Sequence, residues 1–248
     1  MKKTLIAIGV LLTSMSSFAD EAPVNTKNET QLATASAVSQ LEPIESGKQY
    51  GVLPFQPSPD KEVVEFFSFN CPSCFKFESE YHVPGEIAKA LPNGTQFKRY
   101  HLENFGPLAK ELAEAWAVAN VLGIEDKASD ALYKAVQKDR KIKTAEDIKA
   151  VFADLGVDAE KFDKTKQSFL VKAFMAQQTE AIKQLSPDSI PTVVVNRKFF
   201  VNSRGLNVDS TTNYINDYAR VTAYLVGLDP NIKVENDKKS ANEDKSKK

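Results

Sequence analysis

The only two cysteines of the chain stand three apart, in Cys71-Pro72-Ser73-Cys74. A strand-length apolar run from Val63 to Phe69 leads into them, and a helical pattern follows. Cys71 is therefore expected to cap or open a helix with Pro72 in its first turn, where the N–H groups have no intrahelical partner and a missing one costs nothing. Those free N–H groups and the helix dipole favour an anion, so the Cys71 thiolate should be stabilised over its thiol. Cys74 lies one turn on, roughly 5–6 Å away between Cβ atoms, within modest adjustment of disulfide geometry. The pattern suits a dithiol that opens and closes, with one reactive and one shielded sulfur.

Two other uses compete for such a pair. Zinc needs two further ligands, and the only histidines, His82 and His101, lack the short His-x-His spacing usual in such sites. Both read as ordinary strand or helix-surface residues. An inert structural bridge is the second competitor, yet a loop this small constrains the unfolded chain little. Two residues elsewhere add to the chemistry. Ile190-Pro191 immediately precedes a strongly apolar strand; set against the dithiol, the backbone at Ile190 could pair with an extended substrate segment by strand addition. Glu65 lies inside an apolar strand, which is costly unless it is paired or protonated. Burial would raise its pKa and Lys98 or Arg99 would lower it, so it is either an acid managing protons near Cys74 or one half of an ion pair with Arg99.

The elements that must position these residues follow from the rest of the chain. At 248 residues it can bury a sizeable core, and a net charge of −1 offers nothing to nucleic acid or to an anionic membrane surface. Lys2-Lys3, the apolar run Leu5 to Leu12 and Ser17-Phe18-Ala19 have the order of a secretory signal peptide cleaved after Ala19, too short to span a bilayer. Export to an oxidising compartment, without stable membrane insertion, is the expected setting. Residues 1–19 are thus the signal peptide, 20–43 a flexible extension, and 231–248 a charged, disordered tail. Between them, short strands are expected over Tyr50 to Phe55 and Thr95 to Leu102, and a helix from Cys71 to Leu91 interrupted at Pro84. Helical patterns fill Pro107 to Leu185, among them Ala128 to Gln137, Ala145 to Leu155 and Lys161 to Leu185, with Trp116 as a core residue. A hairpin turning at Asn196-Arg197 and a final helix capped by Asp209 or Ser210 complete the pattern. This order predicts an α/β fold, a thioredoxin-like core (residues 44–103 and 179–230) with an inserted all-helical domain (residues 104–178).

Glu65 to Cys74 with Pro72, the segment Gly47-Lys48-Gln49-Tyr50, Ala115-Trp116-Ala117-Val118-Ala119, and Pro191 with Val195-Asn196 resemble the DsbA family of periplasmic thiol:disulfide oxidoreductases, over about Ile44 to Leu228. The resemblance implies that Cys71 is the exposed nucleophile, Cys74 its buried partner in a redox disulfide, Pro191 a cis-proline and Glu65 a buried acid near the dithiol. Pro72, Ser73 and Ile190 are then the residues that meet substrate. It implies no cofactor, unfolded secreted proteins with free thiols as substrates, and reoxidation by a DsbB-type membrane quinone reductase. The best-known members carry Pro-His between their cysteines, whereas this chain has Pro72-Ser73, so a milder oxidant with a less acidic Cys71 is expected. A reductase or isomerase of the same fold, or a periplasmic chaperone with an inert bridge, are the alternatives.

Overall fold

The structure is a computed structural model that describes residues 42–231. The expected signal peptide, nearly all of the extension and nearly all of the charged tail lie outside the described residues. Five strands form one mixed sheet: β1 (Tyr50–Val52), β2 (Glu62–Phe67), β3 (Gln96–His101), β4 (Thr192–Val195) and β5 (Phe199–Val201), in the order β1-β5-β4-β2-β3. Only β2 and β3 run parallel, from Glu62 opposite Gln96 to Phe67 opposite His101. A parallel pair needs a crossover, and the segment that carries the dithiol supplies it.

The long apolar run makes β2 an interior strand covered on both faces, with Val63, Val64, Phe66 and Phe67 all buried. Val63 packs into a cluster with Tyr218, Val221 and Leu225 of α8 (Thr211–Gly227). Val64 and Phe66 face the other way, towards Tyr100, Val194 and Leu185. The β4–β5 hairpin connects through Asn196, Arg197 and Lys198, with Val195 opposite Phe199; Asn196 and Arg197 have positive φ (50° and 55°), and the Lys198 N–H closes the turn on the Val195 carbonyl at 2.9 Å. Ser210 provides the cap of α8.

The crossover departs from the expected single helix. After α1 (Pro72–Phe75), the chain widens into a π-helical turn over Lys76–Glu80 and breaks at His82, whose φ is 53°. Then α2 (Val83–Ala90) starts afresh with Pro84 in its first turn. The proline opens a helix instead of kinking one, because at that position it sacrifices no hydrogen bond.

Residues between β3 and β4 are helical: α3 (Ala109–Leu122), α4 (Glu125–Tyr133) continued by a π turn (Lys134–Lys138), α5 (Ala145–Asp154), α6 (Ala159–Lys166) and α7 (Phe169–Leu185). The pattern from Lys161 to Leu185 resolves into two helices because Ser168 caps the second, accepting from the Val171 N–H. Helix α7 runs unbroken through residues 178 and 179, packing on α3 near its start and on the sheet near its end.

The helical segment also covers an exposed edge. As an edge strand, β3 offers outward backbone groups without strand partners. The Trp116 indole N–H donates to the Arg99 carbonyl (2.7 Å), and the Gln178 Oε1 accepts from the His101 N–H (2.9 Å). Trp116 is a core residue as expected, and a hydrogen-bond donor besides. Trp116→Phe strips that donor from a buried carbonyl and is expected to cost about 1–3 kcal/mol, read as a lower urea midpoint with an unchanged denaturant slope.

Candidate active site

Cys71 is the N-cap of α1, with extended backbone (φ −90°, ψ 118°), and its Sγ accepts from the Cys74 N–H at 3.4 Å. Cys71 Sγ also lies 3.7 Å from the Ile190 carbonyl oxygen, to which it donates when protonated. The Ile190-Pro191 bond is cis. Pro72 and Ser73 are exposed between the two sulfurs, whereas Cys71 is only 5% exposed and Cys74 fully buried. Both are free thiols. A hydrogen bond from the Cys74 thiol lowers the Cys71 pKa; burial opposes this, and the backbone N–H groups of Cys74 and Ser73 assist, bringing it down to about 6. Burial, then the hydrogen bond and charge of Cys71, push Cys74 far up. One sulfur is therefore an anion at neutral pH and the other a thiol.

The loop that delivers Cys71 is gripped on both backbone sides. The Phe69 N–H donates to His101 Nε2 (3.0 Å), and the Phe69 carbonyl accepts from Gln137 Nε2 (2.7 Å). Asn70 Nδ2 donates to the carbonyls of Phe105 (3.1 Å) and Pro107 (2.9 Å). Gly106 between them has φ +86°, and a Cβ there would fall 2.5 Å from the Asn70 Cβ, so only glycine allows this approach. His101 is fully buried, which holds its imidazole neutral, as an Nε2 acceptor must be. In the sequence His101 reads as an ordinary strand residue, and Gln137 carries no mark of its role. The available signal was the position of His101 beside Phe67 at the end of the strand leading to the dithiol, legible only once the register is known.

Glu65 and Arg99 do form the anticipated ion pair, Nε to Oε2 at 2.6 Å, while Lys98 pairs with Glu62 at 2.8 Å. The guanidinium is shared: its two terminal nitrogens donate to Glu78 at 3.0 and 2.7 Å. It also rests on the rings of Phe67 (5.1 Å) and Trp116 (5.2 Å). Burial raises the Glu65 pKa, Arg99 pulls it down, and Glu78, a second carboxylate on the same cation, pushes it up again, to about 7. Arg99 stays charged because Glu65 and Glu78 outweigh the burial that opposes it. Glu65 also acts electrostatically on Cys74. A cavity of about 400 Å³ reaches this network from behind, lined by Glu78, Arg99, Trp116 and the acidic side chains Glu125, Asp126 and Asp130. Of the phenylalanines beside the dithiol, Phe77 is core, edge-on to Tyr218, and Phe75 is partly exposed under Lys138. Among the described residues, no group of three or more His, Cys, Asp or Glu side chains is placed to hold a metal ion.

A thioredoxin-type sheet, a Cys-x-x-Cys pair at a helix start with unequal sulfurs, and a cis-proline facing it together define a thiol:disulfide oxidoreductase. Residues 62–210 match the family described as DSBA-like thioredoxin domain, and the chain belongs to that family. Its relatives include the "Thiol:disulfide interchange protein DsbA" of Pectobacterium carotovorum subsp. carotovorum, 44% identical over 180 residues (73% of this chain, 87% of that one). The Haemophilus influenzae protein of the same name is 37% identical over 229 residues, covering 91% of this chain and 99% of its own. Among solved structures, the Proteus mirabilis disulfide oxidoreductase DsbA superposes with a TM-score of 0.72 at 36% identity, over 75% of this chain and 98% of that one. Equal similarity (TM-score 0.72, 36% identity, 75% and 100% coverage) is found to a complex of that protein with a non-covalently bound peptide, PWATCDS.

The Cys71 thiolate absorbance should titrate near pH 6 in the reduced protein. Because this pKa lies below the ordinary thiol value of 9.0, the reduced form should gain stability as pH rises from about 6 towards 9 and lose it as pH falls back through 6. Urea unfolding of both redox forms across that window measures the difference.

Proposed function

We propose that the protein is an exported oxidase that introduces disulfides into secreted proteins. The cycle starts from a Cys71–Cys74 disulfide. A substrate thiolate attacks Cys71 Sγ, the sulfur–sulfur bond breaks, and its electron pair goes to Cys74, giving a mixed disulfide. A second substrate thiolate then attacks the substrate sulfur and expels Cys71 as a thiolate. The products are a substrate disulfide and the Cys71/Cys74 dithiol, so electrons and sulfur bonds balance. The observation that carries this reading is the Cys71 sulfur itself, stabilised as an anion by the Cys74 thiol and by the N–H groups of Cys74 and Ser73. A stable thiolate leaves readily, and the same stabilisation favours the dithiol over the disulfide, which is what makes an oxidant.

Three residues frame the sulfur for an extended chain. Pro72 and Ser73 are exposed beside it, and Ile190 lies past the last β2–β4 pair, Phe66 with Thr192, so that its backbone has no neighbouring strand there. Pro191 holds that segment against the dithiol, and strand addition at Ile190 would align a substrate cysteine with Cys71. Glu65 is the buried acid that returns a proton to Cys74 when the disulfide opens. The setting is the periplasm, reached through the N-terminal signal, and no described helix is long and apolar enough to cross a membrane. Reoxidation falls to a DsbB-type membrane quinone reductase. The core spans residues 44–103 and 179–230, with the helical insertion at 104–178.

Equilibration with glutathione, followed by oxidative refolding of a reduced multi-thiol protein, tests the direction of the reaction. Wild type should oxidise glutathione readily and promote refolding, and Cys71→Ser should abolish both, while a bridge that resists reduction would point to an inert structural role. Ser73→His places an imidazolium beside the thiolate and should lower its pKa by about one unit, shifting the equilibrium about tenfold further towards the dithiol. A Cys71 titration that fails to move would show that the residue at 73 does not set the oxidising strength.

A further inference from the structure

The exchange cycle makes no use of a second cavity, which opens beside the loop that delivers the nucleophile. It holds about 250 Å³, and Asn70, Leu112, Val136, Gln137, Arg140 and Lys143 line it. Asn70 immediately precedes Cys71. Its amide is tied to the Phe105 and Pro107 carbonyls, and the Gln137 amide to the Phe69 carbonyl. The wall next to Cys71 in the chain is therefore fixed, and its amide N–H groups are spent on the protein itself. What the cavity offers an incoming group is Arg140 and Lys143.

These two belong to a wider basic patch. From Lys134 to Lys143 there are five basic residues (Lys134, Lys138, Arg140, Lys141 and Lys143) against the one carboxylate of Asp139, in a chain whose net charge is −1. Asp139 is taken by Lys134 at 2.6 Å. Asp147, the next acid but one along the chain, turns Oδ2 to the N–H groups of Lys143 and Thr144, both at 2.8 Å. Lys138, Arg140, Lys141 and Lys143 are exposed, and none forms an ion pair among the described residues.

The backbone builds the patch against the dithiol. Arg140 has φ 51°, an uncommon conformation for a residue with a side chain, and turns the chain back after the π turn. The Lys141 N–H then closes on the Ala135 carbonyl at 3.0 Å. Val136 and Ile142, like Phe75 and Ile190, are partly buried against the cluster that contains Cys71 and Cys74. The Lys138 ammonium stands 5.2 Å from the centre of the Phe75 ring, one turn after Cys71. Ile190 thus meets the nucleophile from the core, and the cations approach it from the helical insertion.

We propose that this cavity selects substrates: Arg140 and Lys143 take the carboxylate of an aspartate or glutamate a few residues from the substrate cysteine, so that thiols in acidic segments are oxidised preferentially. The inference rests on the exchange reading above and adds a substrate class to it. An extended chain advances about 3.3 Å per residue, and Asn70 adjoins Cys71, so a side chain two or three positions from the substrate cysteine reaches the cavity. The guanidinium fork matches a carboxylate, and the surrounding cations raise the encounter rate of an acidic segment. The carboxylate and both cations keep their charges; the contact only places the substrate thiolate. A recess walled by the nucleophile's own loop suits a side chain of the polypeptide being oxidised better than a flat lipid surface.

The test uses the oxidised full-length protein and reduced two-cysteine peptides flanked by aspartate, asparagine or lysine. Each rate is divided by that of the same peptide with hydroxyethyl disulfide, which removes the effect of the flanks on the thiol's own pKa. The aspartate peptide should react about fivefold faster than the asparagine peptide at low salt, the scale of two exposed ion pairs. The advantage should vanish near 1 M salt, where the screening length is about 3 Å. Arg140→Gln with Lys143→Gln should abolish the preference, and Arg140→Glu with Lys143→Glu should transfer it to the lysine peptide. Equal rates for the aspartate and asparagine peptides with wild type, or an advantage that survives the glutamine substitutions, would overturn the proposal. So would protein that floats with phosphatidylglycerol vesicles and shows no preference among peptides, which would assign the cations to a lipid surface. Failure of the exchange reading looks different: no peptide is oxidised, while a serine version of the aspartate peptide still shifts the NMR amide signals of Asn70 and Lys143.

Discussion

A single buried guanidinium joins the parts of this molecule that matter for its chemistry. Arg99 belongs to β3, yet its side chain binds Glu65 of β2 and Glu78 of the turn after the dithiol, and lies on the rings of Phe67 and Trp116. Its backbone carbonyl receives the Trp116 indole from α3. Sheet, dithiol-bearing segment and helical insertion therefore meet on one residue. Burying a cation is tolerable only with full compensation, and two carboxylates and two aromatic faces provide it. Burial, and after it the second carboxylate on the same cation, outweigh the pull of Arg99, which is why Glu65 sits near its protonation midpoint at neutral pH instead of being a fixed anion.

The helical segment is thus part of the site. Gln137 holds the Phe69 carbonyl, Gln178 and Trp116 occupy the outer backbone groups of β3, and Ser129 binds Glu78. Each is a polar side chain from the insertion that satisfies a group the core leaves open. A thioredoxin-type core with a bare β3 edge would have unpaired N–H and C=O groups next to its dithiol.

What could be read from the sequence was what chain neighbours determine. The run Val63 to Phe69 followed by Cys-Pro-Ser-Cys announces a strand, a turn and a helix start, because apolar continuity, proline and cysteine spacing act within a few residues. The hairpin was legible for the same reason, with Asn196-Arg197 between two apolar runs. The Glu65–Arg99 contact could be anticipated because a charge inside an apolar strand demands a partner. The break at His82 and the π turn before it were not legible: a helical pattern with a proline permits a kink or a fresh start, and tertiary packing chooses between them. Nor were the grips of His101, Gln137 and Asn70 on the approach to Cys71, since each spans more than thirty positions of chain and depends on strand register. Glu78 carried no signal of its own; a glutamate on a helix looks like surface.

The neutral imidazole that accepts from the Phe69 N–H has a consequence in acid. Burial keeps His101 from taking up a proton until about pH 3, against 6.5 for an ordinary histidine. Acidified surroundings therefore leave the nitrogen that orients the approach to the nucleophile unprotonated, and the shape of the reactive loop is preserved. The expense is borne by the fold as a whole, since below 6.5 the unfolded chain binds a proton that the native chain refuses. Through this histidine, acid draws on folding stability before it disturbs the geometry of the working end.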